Sequence, residues 1–175
     1  MKYYLLKNEE GNAIPTLLHH NRRREAEKGR MEKKISLEES LVMTMRLGRD
    51  FVYPDVMASP LFLLSQKAAR LLSFYEEELT FLPVVLFGEG DSLEWAVYQR
   101  PLLEKRDVLS EQSVWTKDKK DVRTIVLNRE KVREKSIFQI GGVFSTYIIL
   151  RMDLAESLLD RGAIGISLQE VQVDG

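Results

Sequence analysis

Asp153-Leu154-Ala155-Glu156-Ser157-Leu158-Leu159-Asp160-Arg161-Gly162-Ala163-Ile164-Gly165-Ile166 is the stretch on which the fold assignment turns. Asp153 with Glu156 three residues on reads as an Asp variant of the capping box, opening a helix. Leu154, Leu158 and Leu159 give that helix an apolar face, and Gly162 stands where a left-handed residue ends it. Gly165 then opens a last strand, Ile166 to Val173, whose alternation changes phase near Glu170. Such a change predicts a bulge or the strand's end. Upstream, Val143 to Leu150 reads as another strand, so the helix stands between two strands. That unit is not repeated along the chain, which argues against a wound parallel sheet.

Working outward, Ser65 is a natural N-cap, and Ala68, Leu71, Leu72, Tyr75 and Leu79 follow a helical stripe. Glu76, Glu77 and Glu78 sit at its C-terminal end, where the helix dipole disfavours anions. Phe81 to Phe87 is an apolar strand whose Pro83 predicts an edge or bulge position. With Gly88 to Ser92 as a five-residue loop, it pairs with a run in which Leu93, Trp95 and Val97 alternate with Glu94, Ala96 and Tyr98. The step of Trp95 with Leu93 and Val97 predicts that Trp95 is core. Lys2 to Lys7, Arg123 to Leu127 and Ser136 to Ile140 read as further strands, and Asn128 to Val132 as a turn or single helical turn. Tyr53-Pro54-Asp55-Val56 and Ser59-Pro60 are turn chemistry. Ile35 to Leu47 reads equally as a helix begun by Ser36-x-x-Glu39 or as a strand through Leu41 to Met45. The predicted class is α+β, a single domain over 1–175 with a largely antiparallel sheet and two or three packed helices. Residues 8–34 are predicted to be a mobile polar and basic segment.

The chain has 175 residues, no cysteine and a formal net charge of −1. A domain of this size buries about 70% of its unfolded surface, enough for an ordinary core. Without cysteine there is no disulfide scaffold, thiolate metal site or Cys nucleophile. No signal peptide or run of about 20 apolar residues is read, so the expectation is cytoplasmic residence. Between Arg22 and Lys34 stand seven bases and three acids, a local charge of +4, which leaves −5 on the remainder. That run is the candidate nucleic-acid segment, binding phosphates by counterion release. It holds no aromatic for base stacking and is broken by Glu, as a solvated loop or exposed helix would be.

A catalytic reading needs a nucleophile, a base and an orienting group. The two histidines, His19 and His20, are adjacent and would point about 100° apart on a helix. No nucleophile elbow, zinc-protease helix or phosphate-binding glycine loop occurs. The expectation is therefore no enzyme, no metal and no cofactor. The segment that joins the hairpin to the next strand, Leu103 to Trp115, supplies the candidate partner-binding residues Asp107, Ser110, Glu111, Ser113 and Trp115. A Trp at a loop edge beside Asp and Ser has the composition of a protein-binding anchor. Equally, Asp107, Ser110 and Ser113 would cap turns while Trp115 covers the sheet.

The order of motifs from Tyr53-Pro54-Asp55-Val56 through Pro60-Leu61-Phe62-Leu63-Leu64-Ser65-Gln66-Lys67, Phe81-Leu82-Pro83-Val84, Asp107 with Ser113, Ile137-Phe138-Gln139-Ile140 and the closing Asp153 to Ile166 resembles a bacterial family. It is similar to immunity protein family eleven of polymorphic toxin systems, over roughly residues 53–173. The resemblance implies a protein that binds and neutralises a cognate toxin in the producing cell, with no catalytic residues to carry over. Residues 8–47 lie outside it.

Overall fold

The computed structural model describes residues 1–11, 14–18 and 41–174. It is a mixed α/β, strand-rich chain with two six-stranded sheets and a two-stranded ribbon. Sheet I takes β1 (Tyr3–Asn8), β8 (Lys105–Arg106), β11 (Val126–Asn128), β12 (Ile137–Ile140), β13 (Ile148–Arg151) and β14 (Ile166–Asp174), in the order β11-β14-β1-β13-β12-β8. Sheet II takes β2 (Thr16–Leu18), β3 (Leu41–Arg46), β4 (Val56–Met57), β5 (Leu63–Leu64), β6 (Phe81–Gly88) and β7 (Trp95–Pro101), in the order β2-β3-β6-β7-β5-β4. The ribbon is β9 (Val114–Trp115) with β10 (Val122–Thr124). Parallel pairs occur at β11·β14, β12·β8 and β3·β6. The helices are α1 (Gln66–Tyr75), the single turn α2 (Arg129–Val132) and α3 (Met152–Asp160).

Sheet I is packed on both faces. Along β1, Tyr4 and Leu6 point one way and Tyr3 and Leu5 the other, as pleating requires. The first face joins Leu6, Ile148, Leu150 and Ile137 to Leu72 of α1, Leu154 and Leu158 of α3, and Val56 and Leu64 of sheet II. On the second face, Tyr3, Leu5, Ile149, Phe138, Ile140 and Val171 gather under Val108, Leu127 and Val132. This explains the phase change in β14. Its pairing with β1 runs unbroken from Ile166 to Val171, so there is no bulge at Glu170. Ile166 and Leu168 pack against the first cluster, Val171 and Val173 against the second, and the strand passes between two cores.

Helix α1 begins as its sequence predicts: Ser65 accepts the Ala68 N–H at 3.2 Å. It ends at Tyr75, so Leu79 lies beyond it. The acidic end has a structural use. Glu76 accepts the Ser136 N–H at 2.8 Å and the Lys135 ammonium at 3.2 Å, tying the helix terminus to β12. Helix α3 departs from its capping-box reading. It begins two residues earlier, with Arg151 in the cap position and no side-chain cap bond. Asp153, inside the first turn, instead takes a bidentate ion pair from Arg151 at 2.8 and 2.7 Å. That pairing and the Leu154 N–H that it accepts hold its carboxyl below the usual range. Leu159, predicted on the apolar face, is exposed. Gly162 does adopt a left-handed conformation, φ +66°.

Other expectations are corrected by the sheet order. Pro83 lies in β6, an interior strand between β3 and β7, just before the first β3 pair, Leu41 with Val84. Within the segment predicted mobile, Thr16–Leu18 forms β2 with Leu17 buried. The open reading of 35–47 resolves to a strand over Leu41–Arg46. Residues 19–40, which include His19, His20 and the basic run 22–34, lie outside the described residues, and none of the described helices is long and apolar enough to cross a membrane.

The sheets meet through Asp55. Its backbone N–H and that of Val56 donate to the Ile164 carbonyl at 2.8 and 3.1 Å. Its carboxylate accepts the Ser65 hydroxyl at 2.7 Å and the Ile164 N–H at 3.2 Å. Gly165 is fixed by this junction. At φ +89°, a Cβ there would stand 2.4 Å from the Val56 carbonyl oxygen.

Candidate protein-binding face

Sheet II has one covered face and one largely open face. The covered face carries Met43, Met45, Val84, Leu86 and Tyr98, packed with Leu17, Met57 and Leu63. Tyr98 is buried, its hydroxyl donates to the Pro54 carbonyl at 2.8 Å, and burial pushes its phenol well above the ordinary range. The short strands β4 and β5 send one residue to each side, Met57 and Leu63 to this cluster and Val56 and Leu64 to the α1 cluster. At that end, therefore, both faces of sheet II are covered.

At the β3·β6·β7 end no described element covers the second face. The register sets two rows across it: Val42, Val85 and Val97, then Thr44, Phe87 and Trp95. Val42, Phe87, Trp95 and Val97 are all exposed, and Trp95 is 61% exposed. This corrects the expectation that Trp95 is core. Leu93 lies before the strand, which begins at Trp95, and within the strand it is the other set, Ala96 and Tyr98, that faces inward. Polar contacts frame the bare area. Arg46 donates to both Glu89 carboxylate oxygens at 2.8 and 3.3 Å, and Gln99 donates to Gln66 of α1 at 3.3 Å. An apolar centre with a polar margin is the anatomy of a protein interface, and an exposed Trp is its commonest energetic anchor.

The residues read from sequence as the partner site are divided by the structure. Ser110 and Ser113 are buried. Ser113 donates to the Val126 carbonyl at 2.9 Å and accepts the Val126 N–H at 3.1 Å, while Ser110 donates to Asp174. Both hydroxyls fasten the loop to β11 and the end of β14. Asp107 is exposed and paired with Lys131 at 3.2 Å, Glu111 is exposed, and Trp115 is 38% exposed opposite the buried Val122 in the ribbon. Asp107, Glu111 and Trp115 are thus the members of this set that a partner could touch. The β3·β6·β7 face was missed from sequence. Its signal was the apolar character of both faces of Phe81–Phe87, which means that something covers each side or one side is left open.

Among the described residues a cleft of about 670 Å³ is lined by Gly11, Thr16, Arg46, Arg49 and Asp50. No three His, Asp or Glu side chains are grouped to hold a metal. The carboxyls with resolved shifts, Glu89, Asp118, Asp121 and Asp153, are all lowered. For Glu89 and Asp153 the cause is an Arg partner, and for Asp118 the Thr116 hydroxyl. For Asp121, burial pushes upward and the Ser145 hydroxyl and the Val122 N–H outweigh it. The small apolar cavity among Leu6, Val56, Phe62, Leu72 and Leu154 is about 10 Å³, no larger than one water. No family model and no curated protein matches the chain.

Proposed function

We propose that this chain is a non-enzymatic protein-binding module, an immunity protein that binds a cognate bacterial toxin and neutralises it by occlusion. The reading takes it as one α+β domain on largely antiparallel sheets, acting in the cytoplasm of the producing cell. It rests on the motif order of residues 53–173 and on one structural observation: the bare apolar face around Trp95. A contiguous exposed apolar patch on a soluble chain marks an interaction surface. Two rows across three strands make an extended apolar face, suited to a folded protein surface. The −5 carried outside residues 22–34 favours a basic partner through electrostatic steering.

Co-expression with the adjacent toxin-like gene tests this. Growth rescue and co-purification are the expected results, and Trp95→Asp should abolish both while leaving the melting temperature unchanged. Absence of rescue and of co-purification with the unaltered chain would overturn the assignment. Rescue untouched by Trp95→Asp would move binding off this face, towards Asp107, Glu111 and Trp115.

A further inference from the structure

The tip of the β9·β10 ribbon lies apart from the bare sheet face and has a different chemistry. Its sequence is Trp115-Thr116-Lys117-Asp118-Lys119-Lys120-Asp121-Val122-Arg123. The two acids are engaged in building the turn. Asp118 accepts the Thr116 hydroxyl at 2.6 Å and the Lys120 N–H at 3.3 Å. Asp121 accepts the Ser145 hydroxyl and, at 3.0 Å, the Val122 N–H. Lys119 sits in the left-handed region at φ 54°, and its N–H closes on the Thr116 carbonyl at 3.0 Å. The four cations are left outward. Lys117, Lys119, Lys120 and Arg123 are exposed and make no ion pair with any described residue.

The backbone brings an exposed aromatic residue to the same turn from elsewhere in the chain. Phe144 donates its N–H to the Lys120 carbonyl at 2.8 Å, and its side chain is 82% exposed. Tyr147 reinforces the junction by donating to the Val122 carbonyl at 3.3 Å. Trp115 ends the ribbon's first strand and is 38% exposed. Cations for a phosphate backbone and a free ring for a base are what residues 22–34 do not combine in sequence. Here they are 24 positions apart, Lys120 to Phe144, and come together only through the fold.

We propose that this ribbon tip binds single-stranded nucleic acid, with Lys117, Lys119, Lys120 and Arg123 on successive phosphates and Phe144 stacked on a base. A projecting ribbon with exposed aromatics and cations matches sequence-tolerant single-strand recognition. An anionic bilayer fits less well, because a single strongly exposed ring beside the lysines offers little apolar area to bury in lipid. The proposal concerns a surface other than the Trp95 face and stands or falls independently of toxin binding.

The test is anisotropy of a labelled 20-nucleotide oligo-uridine with the full-length chain, titrated at several salt concentrations. Four phosphate contacts predict a slope of log affinity on log salt of about −3. Phe144→Ala should weaken binding about 5- to 100-fold, the range for loss of one stacked base. Lys117, Lys119 and Lys120→Gln together should weaken it at least tenfold and flatten the slope, whereas Arg22, Arg23 and Arg24→Ala should leave both unchanged. All the ribbon-tip positions are exposed, and circular dichroism checks that the variants fold. No binding at low salt overturns the proposal. So does binding unaffected by the tip substitutions, or binding to anionic vesicles or polyglutamate as tight as to oligo-uridine.

Discussion

Sheets I and II each have six strands with apolar residues on both faces, yet they present opposite surfaces to solvent. In sheet I, helices α1 and α3 cover one side, and the loop from Val108 with α2 covers the other. In sheet II, the covering elements reach only the β4·β5 end, and the rows through Val97 and Trp95 are left bare. The difference teaches that an apolar strand face is a statement of what could be buried. Whether it is buried depends on where the rest of the chain goes.

The sharpest way to break this comparison is a matched pair of aromatic truncations. Phe138 is fully buried in sheet I, so Phe138→Ala should destabilise the fold by about 3–5 kcal/mol in a denaturant titration. Trp95→Ser, on the bare face, should change stability by no more than about 0.5 kcal/mol. Comparable losses at the two sites would mean that the Trp95 face is covered in solution. The junction between the sheets gives the next effect. Gly165→Ala must fit a Cβ at φ +89° against the Val56 carbonyl, and should cost about 2–3 kcal/mol. Gly142→Ala, at φ +74° with nothing within 4 Å of the added carbon, should cost only about 1 kcal/mol by the same measurement.

Asp55→Ala removes the acceptor of the Ser65 hydroxyl and the Ile164 N–H. It should lower stability by about 1–2 kcal/mol, read from the shift of the denaturation midpoint. The smallest effect concerns acid. Arg151 holds Asp153 below the usual carboxylate range, so the ionised form is favoured by folding. Its contribution is present above the unfolded value, about pH 4, and is lost as pH falls through the lower folded value. Asp153→Asn should thus remove a slight acid sensitivity below about pH 4. At neutral pH it should cost no more than about 1 kcal/mol, because the Asp153 side chain is 48% exposed although that of Arg151 is only 19% exposed. A larger neutral-pH loss would give the ion pair a structural weight that its exposure argues against.

Much of the architecture was legible because it is local. The Ser65 cap, the β6·β7 hairpin, the Asn128 turn and the Gly162 helix end all follow from residues a few positions apart. The capping box at Asp153 failed because Arg151, two residues upstream, offered the carboxylate a bidentate partner that a backbone N–H does not match. The candidate site was half legible. In the loop from Asp107 to Trp115, hydroxyls that look available in sequence are used by Val126 and Asp174 in the fold.

By itself the sequence determined the type of its clearest elements, α1, α3 and the β6·β7 hairpin, and which side chains share a strand face, since capping, turn chemistry and pleat alternation act over a few residues. Only the tertiary structure decided which face meets solvent, why β14 changes phase at Glu170 without a bulge, and that Phe144 stands beside Lys120. Those outcomes depend on contacts between residues far apart in the chain, and solvent exposure is a property of the whole packing, which no local pattern encodes.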